Sequence, residues 1–246
     1  MLLLTLILLP LAVAILLMVL RFAAAPHVRW VSLLASAATL AVSLAVVHEY
    51  RSLPAVDGAS GPVPPRLEWR HTWMTFDWPQ SAADDAGPVS LEFFLGVDGI
   101  SVLLIVLTAL LSVSAVLVSW NSVTERVTEY HVCLLLLETG MIGVFCAFDL
   151  ILFYVFFEFT LIPLFFLVGI WGGPQRRYAA GKFFIYTLAG SVVTLLGLAA
   201  LVVNVVGRGT LATPFSIPDI AAELAQHPFP AGLQWALFLA LAAGFM

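Results

Sequence analysis

Long stretches without a charged residue constrain this chain more than any other feature of its sequence. Only 10 basic and 15 acidic residues are distributed over 246 positions. A helix that crosses a membrane needs about 20 consecutive apolar residues, because each residue adds about 1.5 Å and the hydrocarbon core is about 30 Å thick. Charge-free stretches of this length lie at 2–20, 30–48, 99–124 and 183–207. They predict four membrane spans.

The stretch 131–171 is about twice as long as one span and is interrupted by Asp149. It predicts two antiparallel helices joined by a tight turn, with Asp149 as the N-cap of the second. A further apolar stretch begins near Gly232 and reaches Met246, which is too short for a complete span. We therefore expect an all-α polytopic membrane protein with six complete spans and a truncated seventh, as an N-terminal fragment of a longer chain. The spans expected in this single transmembrane domain (1–246) are about 2–20, 30–48, 99–120, 131–148, 150–171, 183–206 and 232–246.

Composition excludes the other broad classes of protein. The chain is 62% hydrophobic and 10% charged, with a mean hydropathy of +1.06, whereas soluble domains are about one quarter charged. The scattered basic residues do not form the stripe that nucleic acid requires, so no nucleic-acid partner is expected. Cys and His spacing suggests neither a metal nor a redox centre in this chain. All five histidines lie in predicted loops or at span ends, where we expect them to be solvated: His27, His48, His71, His131 and His227.

The distribution of basic residues predicts the orientation in the membrane. The loops 21–29, 125–130 and 172–182 carry six of them, including Arg21, so the positive-inside rule places the N-terminus outside and these loops in the cytoplasm. The outer loop 51–97 has alternating apolar residues in two stretches with residues 84–88 between them, which predicts a β-hairpin. Residues 217–226 predict a short interfacial helix with Ile220 and Leu224 on its apolar side.

Two acids, Glu138 and Glu158, lie inside predicted spans. A charged side chain at the centre of a spanning helix costs about 2.5–3.5 kcal/mol on insertion scales, so such residues commonly have a function. A carboxyl group there can hold or release a proton according to the charges beside it. Both acids lie at a similar predicted depth on adjacent helices. The sequence therefore predicts Glu158 as a proton-relay residue and Glu138 as a weaker candidate.

Neighbouring residues refine this prediction and leave alternatives open. Pro163 has no N–H and leaves the carbonyl of Phe159 free, which offers a place for ordered water beside Glu158. Glu158 could instead bond a neighbouring helix, and Glu138 could extend toward the membrane surface or bond another helix. Gly140 and Gly143 are predicted to be close-packing surfaces between helices.

Several segments of the sequence resemble one known family. The run from Gly143 to Gly173, with FDLILFYVFFEFTLIPLFFLVGIW at its centre, is similar to the fourth and fifth helices of NADH-quinone oxidoreductase subunit M (chain 4 of respiratory complex I). Lys182–Thr187 (KFFIYT) resembles the start of its sixth helix. Leu95–Ser101 (LGVDGIS) resembles the entry to its third helix, an element shared with related antiporter subunits.

The resemblance implies a fourteen-helix, antiporter-like subunit that moves protons in the membrane arm of the complex. In that family the fifth-helix glutamate, matched by Glu158, pairs with a lysine on the seventh helix, expected just beyond Met246. The cofactors NADH, FMN, iron–sulfur clusters and quinone are expected in partner subunits, with none bound by this chain. Expected partners are the other membrane-arm subunits, especially the homologous antiporter-like ones, and the lipid bilayer of a bacterial inner membrane. The alternatives are a subunit of a multisubunit cation/proton antiporter, a subunit of a membrane-bound hydrogenase, or a passive membrane scaffold.

Overall fold

The computed structural model describes residues 1–19, 25–54, 65–76, 89–208, 211 and 213–245. Six of its helices are long and apolar enough to cross a membrane, which confirms the predicted number of complete spans. The elements, in chain order, are α1 (Leu2–Val19), α2 (Ala25–Ser52), β1 (Arg66–Phe76), β2 (Val89–Val97), α3 (Gly99–Ser122), α4 (Val127–Cys146), α5 (Leu150–Trp171), α6 (Arg176–Val206), α7 (Ile217–Gln226) and α8 (Ala231–Phe245). The protein is therefore an all-α membrane protein with one small hairpin.

Several helices extend beyond the charge-free stretches that predicted them. α6 begins at Arg176 and includes Lys182, although we expected both in a loop at 172–182. The prediction of that loop was wrong because lack of charge marks the apolar segment, whereas the hydrogen bonds of a helix continue into its polar ends. α4 ends at Cys146, two residues before the predicted end at 148. It ends there because the Phe148 N–H donates to the carbonyl of Phe94 at 3.0 Å instead of continuing the helix.

The described residues divide into two compact units, and the first comprises 1–55, 97–146 and 155–184. Helices α1–α4 pack against one another in this unit. Part of its core is formed by α1, α2 and α4, with buried side chains Ala14, Leu17, Val28, Ala35, Val132 and Leu135. Asp98 starts α3 with a capping box, since its carboxylate accepts from the Ser101 N–H while its own N–H donates to the Ser101 hydroxyl. This unit contains both predicted acids.

The second unit comprises 56–96, 147–154 and 185–246. Strands β1 and β2 pair in a two-stranded sheet, as the alternation predicted. The predicted turn at 84–88 lies outside the described residues, and so does Arg21 of the predicted loop 21–29. The alternation did not predict that both Phe94 and Leu95 are fully buried. Phe94 packs against Phe148, and the Arg70 guanidinium lies 3.7 Å from the centre of its ring. Side chains therefore cover both faces of β2 at this point.

Helix α7 forms over the predicted residues 217–226. Its apolar side, which we expected at the membrane interface, packs on protein: Ile220 and Leu224 join a cluster that includes Val205 and Phe229. Thr213 donates a hydrogen bond of 2.7 Å to Asp219 in the first turn of α7. The apolar side of this short helix is thus used for folding.

Candidate functional site

Glu158 lies on α5, in the first unit, and is partly buried. Its Oε1 is shielded from solvent and has no hydrogen-bond partner among the described residues. Pro163, five residues further along α5, is buried and cannot donate to the carbonyl of Phe159. An unpaired carboxylate oxygen and a carbonyl lacking its usual helical partner therefore lie on adjacent residues. Such a pair can accept hydrogen bonds from water or from a cationic side chain.

Glu138 lies on α4 and is 1% exposed. The Ser36 hydroxyl on α2 donates to its Oε2 at 3.0 Å, whereas Oε1 has no partner among the described residues. A cavity of about 130 Å³ adjoins this carboxylate, and its lining includes the hydroxyl residues Thr108 and Ser112 of α3. A cavity of this size is large enough to hold water. Water can therefore lie beside the Glu138 carboxylate, in a cavity that is partly open at the exposed side chain of Leu111.

Helices α4 and α5 pack through the predicted glycines. A Cβ at Gly140 would lie 2.7 Å from the methyl group of Thr160, and one at Gly143 would overlap with the Phe156 ring. These positions mark the side of α4 that faces α5. At about 100° per residue, Glu138 lies about 160° around the helix from Gly140. Glu138 therefore points to α2 and α3, away from the helix that carries Glu158.

The packing also sets the relative depth of the two acids. Since Gly140 meets Thr160 and Gly143 meets Phe156, Glu138 is level with a residue near position 162 of α5. The offset from Glu158 along the helix axis is thus about 6 Å. The two carboxylates lie at similar depths, as predicted, but belong to different contact surfaces.

Helix α2 carries a row of buried hydroxyl groups that we did not predict. Its members, spaced as one helix face, are Ser32, Ser36, Thr39 and Ser43. Thr39 and Ser43 donate to carbonyls of their own helix, at 3.0 and 2.7 Å. The Ser32 hydroxyl has no partner among the described residues. The spacing of four, three and four residues within an apolar span was a signal that could have revealed this row.

His131 is the clearest correction to the predicted site. We expected it to be solvated at the end of a span, but it is fully buried, one turn inside α4. Its Nδ1 lies 2.8 Å from the carbonyl oxygen of Val127, and its Nε2 has no partner among the described residues. The prediction was wrong because the apolar stretch begins at residue 131, whereas the helix begins at Val127. A buried imidazole was thereby missed.

Asp149 occupies the N-cap position of α5. Its Oδ1 accepts from the N–H groups of Ile151 at 2.9 Å and Leu152 at 3.0 Å. Burial raises the pKa of Asp149 to about 6, and the negative charge of Glu92 adds to that rise, while the two backbone hydrogen bonds lower it. The geometry of Asp149 is that of a structural cap.

Among the described residues no group of three or more His, Cys, Asp or Glu side chains could hold a metal ion.

Comparison with known proteins adds three findings. Residues 147–246 match the family model described as NADH:quinone oxidoreductase/Mrp antiporter, transmembrane. NADH-quinone oxidoreductase subunit M of Rhodobacter capsulatus is 38% identical over 96% of this chain. The chain spans 43% of the length of that relative.

Solved structures show the same fold. A chain of respiratory complex I from Thermus thermophilus with bound NADH matches with a TM-score of 0.70 at 26% identity, covering 100% of this chain and 43% of that one. A chain of the membrane-bound sulfane sulfur reductase, an archaeal respiratory membrane complex, matches with a TM-score of 0.69 at 21% identity, covering 98% of this chain and 33% of that one. The second likeness concerns the fold alone.

Proposed function

The chain belongs to the family of NADH-quinone oxidoreductase subunit M, and we propose that it translocates protons across a membrane as a subunit of such an oxidoreductase. The electrons would pass from NADH to quinone in partner subunits that carry FMN and iron–sulfur clusters. Its partners would be the other membrane-arm subunits, and its location a bacterial inner membrane. The curated relative that bears this name aligns with 96% of the chain.

One observation of geometry supports proton transfer at a particular residue. The Oε1 of Glu158 is buried without a hydrogen-bond partner among the described residues, on a helix long enough to cross the membrane. A carboxylate oxygen left unpaired away from water is costly unless a proton, a water molecule or a cation satisfies it. Glu158 is therefore the residue we propose as the relay.

The mechanism we propose is electrostatic. A lysine of the full-length protein that approaches Glu158 stabilises the carboxylate and keeps its own proton. When the two separate, the lysine releases its proton and the carboxylate becomes ready to accept another. Gly140 and Gly143 of α4 lie against the helix that carries Glu158, and in the mechanism we propose the cation is the moving partner.

The test is Glu158→Gln in the full-length protein within its complex. We expect NADH-driven proton pumping to fall by about tenfold or more, because general acid–base groups contribute factors of 10² to 10⁴. A pH-sensitive dye in inverted membrane vesicles measures pumping, and a native gel measures assembly. Glu125→Gln is the matched control, since it makes the same chemical change at an exposed loop residue.

The outcomes distinguish a proton-relay role of Glu158 from a purely structural role in a passive membrane scaffold. Loss of pumping in assembled Glu158→Gln complex, with normal pumping in Glu125→Gln, supports a relay. Pumping that merely follows the amount of assembled complex supports a passive scaffold. Unchanged pumping in the assembled Glu158→Gln complex contradicts the proposal.

A further inference from the structure

Four buried polar atoms without a hydrogen-bond partner among the described residues belong to α2 and α4. They are Arg29 Nε, Ser32 Oγ, His131 Nε2 and Glu138 Oε1. More than nine in ten buried polar groups in proteins are paired, either with protein or with ordered water. Several unpaired atoms on two packed helices therefore indicate bound water.

Contacts between the two helices show that they run side by side in the same direction. The Arg29 guanidinium near the start of α2 donates to the carbonyl of Val123, just before α4, at 2.9 Å. Further along, Ser36 donates to Glu138. Val28 and Ala35 of α2 share a core cluster with Val132 and Leu135 of α4.

This arrangement places three of the unpaired groups, those of Ser32, His131 and Glu138, along two parallel helices, together with Ser36, which bonds Glu138. Ser32 lies one turn, about 6 Å, before Ser36 on the same face of α2. His131 lies two turns, about 10 Å, before Glu138 on the same face of α4. We name this set the α2–α4 polar column: Ser32, Ser36, His131 and Glu138. It extends from near the start of both helices to the carboxylate, where the cavity lined by Thr108 and Ser112 adjoins it.

Each member of the column can take part in a chain of hydrogen bonds that transfers protons. The carbonyl of Val127 can only accept, so Nδ1 of His131 carries the hydrogen, and the unpaired Nε2 is a basic nitrogen. Serine hydroxyls both donate and accept, and Glu138 Oε1 can accept from water. The cavity beside Glu138 reaches Ser36, and water molecules between the other members would complete the path.

We propose that the α2–α4 polar column is a water-filled proton path by which Glu138 exchanges its proton with the solution at the Arg29 end of α2. The path uses neither Glu158 nor α5. Its use in translocation rests on the proposed function, whereas its hydration and its proton exchange do not.

The test measures hydrogen–deuterium exchange at the Glu138 carboxyl group in the full-length protein within its complex. Infrared difference spectra report the C=O stretch of a protonated carboxyl group, and Glu138→Gln assigns the band. Ser32→Val and His131→Phe replace column members by apolar side chains. We expect each to slow the exchange by about tenfold or more, the order that follows from losing a hydrogen-bonded link.

Ser43→Val is the matched control. Ser43 lies on the same face of α2 and is 0% exposed like Ser32, but its hydroxyl donates a hydrogen bond to the carbonyl of Leu40. Exchange at the wild-type rate in Ser43→Val, with slow exchange in the two column variants, supports the path. Equal exchange rates in Ser32→Val and Ser43→Val overturn it, as does the absence of any band that depends on Glu138.

A second measurement uses the unaltered protein, so it does not depend on the folding of a variant. Brief X-ray irradiation in ¹⁸O-labelled water oxidises side chains that touch bound water. We expect label on His131 and none on Leu6, an equally buried side chain of α1. An unlabelled His131 contradicts the proposal even where Glu158→Gln abolishes pumping, so the two proposals can fail independently.

Discussion

At the scale of the residue, hydrogen bonding distinguishes buried polar side chains that act as caps from those that can still bind a proton or water. Asp149, 2% exposed, has both of its backbone bonds within the first turn of α5. Glu138 and His131 are equally buried, yet each keeps one unpaired atom among the described residues. The residues thus differ in their unused hydrogen-bonding capacity, which is what a proton path requires.

Asp149→Asn tests the effect of burial on the cap. The pKa of Asp149 is about 6 in the folded protein and near 3.8 in the unfolded chain, so the folded state binds this proton more tightly. Proton binding at Asp149 therefore stabilises the folded protein fully below about pH 4, and this stabilisation is lost as the pH rises to about 6. The loss in the free energy of unfolding is about 3 kcal/mol, at about 1.36 kcal/mol per pKa unit. Asn caps equally well without ionising. We expect the variant to gain thermal stability relative to wild type between pH 4 and pH 7.

Thermal unfolding in detergent, followed by tryptophan fluorescence, measures that difference. Asp149→Ala is the control for the cap itself and should lose about 1 kcal/mol at every pH. A constant difference between Asp149→Asn and wild type from pH 4 to pH 7 would disprove the assigned pKa.

At the scale of the element, helix contacts depend on small residues at particular positions. Gly140 and Gly143 allow α4 to approach α5, and Gly190 and Gly197 of α6 lie against Gly244 and Leu241 of α8. In a membrane the hydrophobic effect does not drive helices together, so close packing of this kind contributes much of the association. The contacts of Gly140 and Gly143 join the two helices that carry Glu138 and Glu158.

Gly143→Ala should destabilise the protein. The added methyl group would overlap with the Phe156 ring near its attachment point, where the ring cannot easily move. Overpacking of this kind costs about 1–3 kcal/mol. Gly181→Ala makes the same change within α6, where nothing lies within 4 Å of the added atom, and should stabilise the helix by up to about 1 kcal/mol. Melting temperatures in detergent that fall for both variants, or for neither, would contradict this explanation.

At the scale of the whole molecule, the described helices expose large apolar side chains that a membrane or partner subunits must cover. Leu103 and Ile185 are each 70% exposed, and Trp235 is 64% exposed. Apolar exposure on this scale is unusual for a protein surrounded by water. It is typical of a multi-pass membrane protein.

The predicted orientation can be tested by cysteine labelling. The positive-inside rule places the turn at Gly173 in the cytoplasm and the hairpin residue Met74 outside, and both residues are exposed. In intact cells a membrane-impermeant maleimide should label Met74→Cys and leave Gly173→Cys unlabelled. Inverted vesicles should give the reverse pattern. The unsubstituted chain, with Cys133 and Cys146, supplies the background. Labelling of Gly173→Cys in intact cells would show that the orientation is inverted.

The sequence alone determined the number of spans, the hairpin, the helix at 217–226 and the acid on α5. These follow from local rules: apolar length, alternation, turn residues and the high cost of charge in a membrane. It did not determine that Glu138 faces α2, that His131 is buried or that four hydroxyls of α2 form one row. Those facts depend on which helices touch and at what depth, which side-chain packing between distant segments decides. Hydropathy along the chain reports the medium around each residue, and only the tertiary structure reports its neighbours.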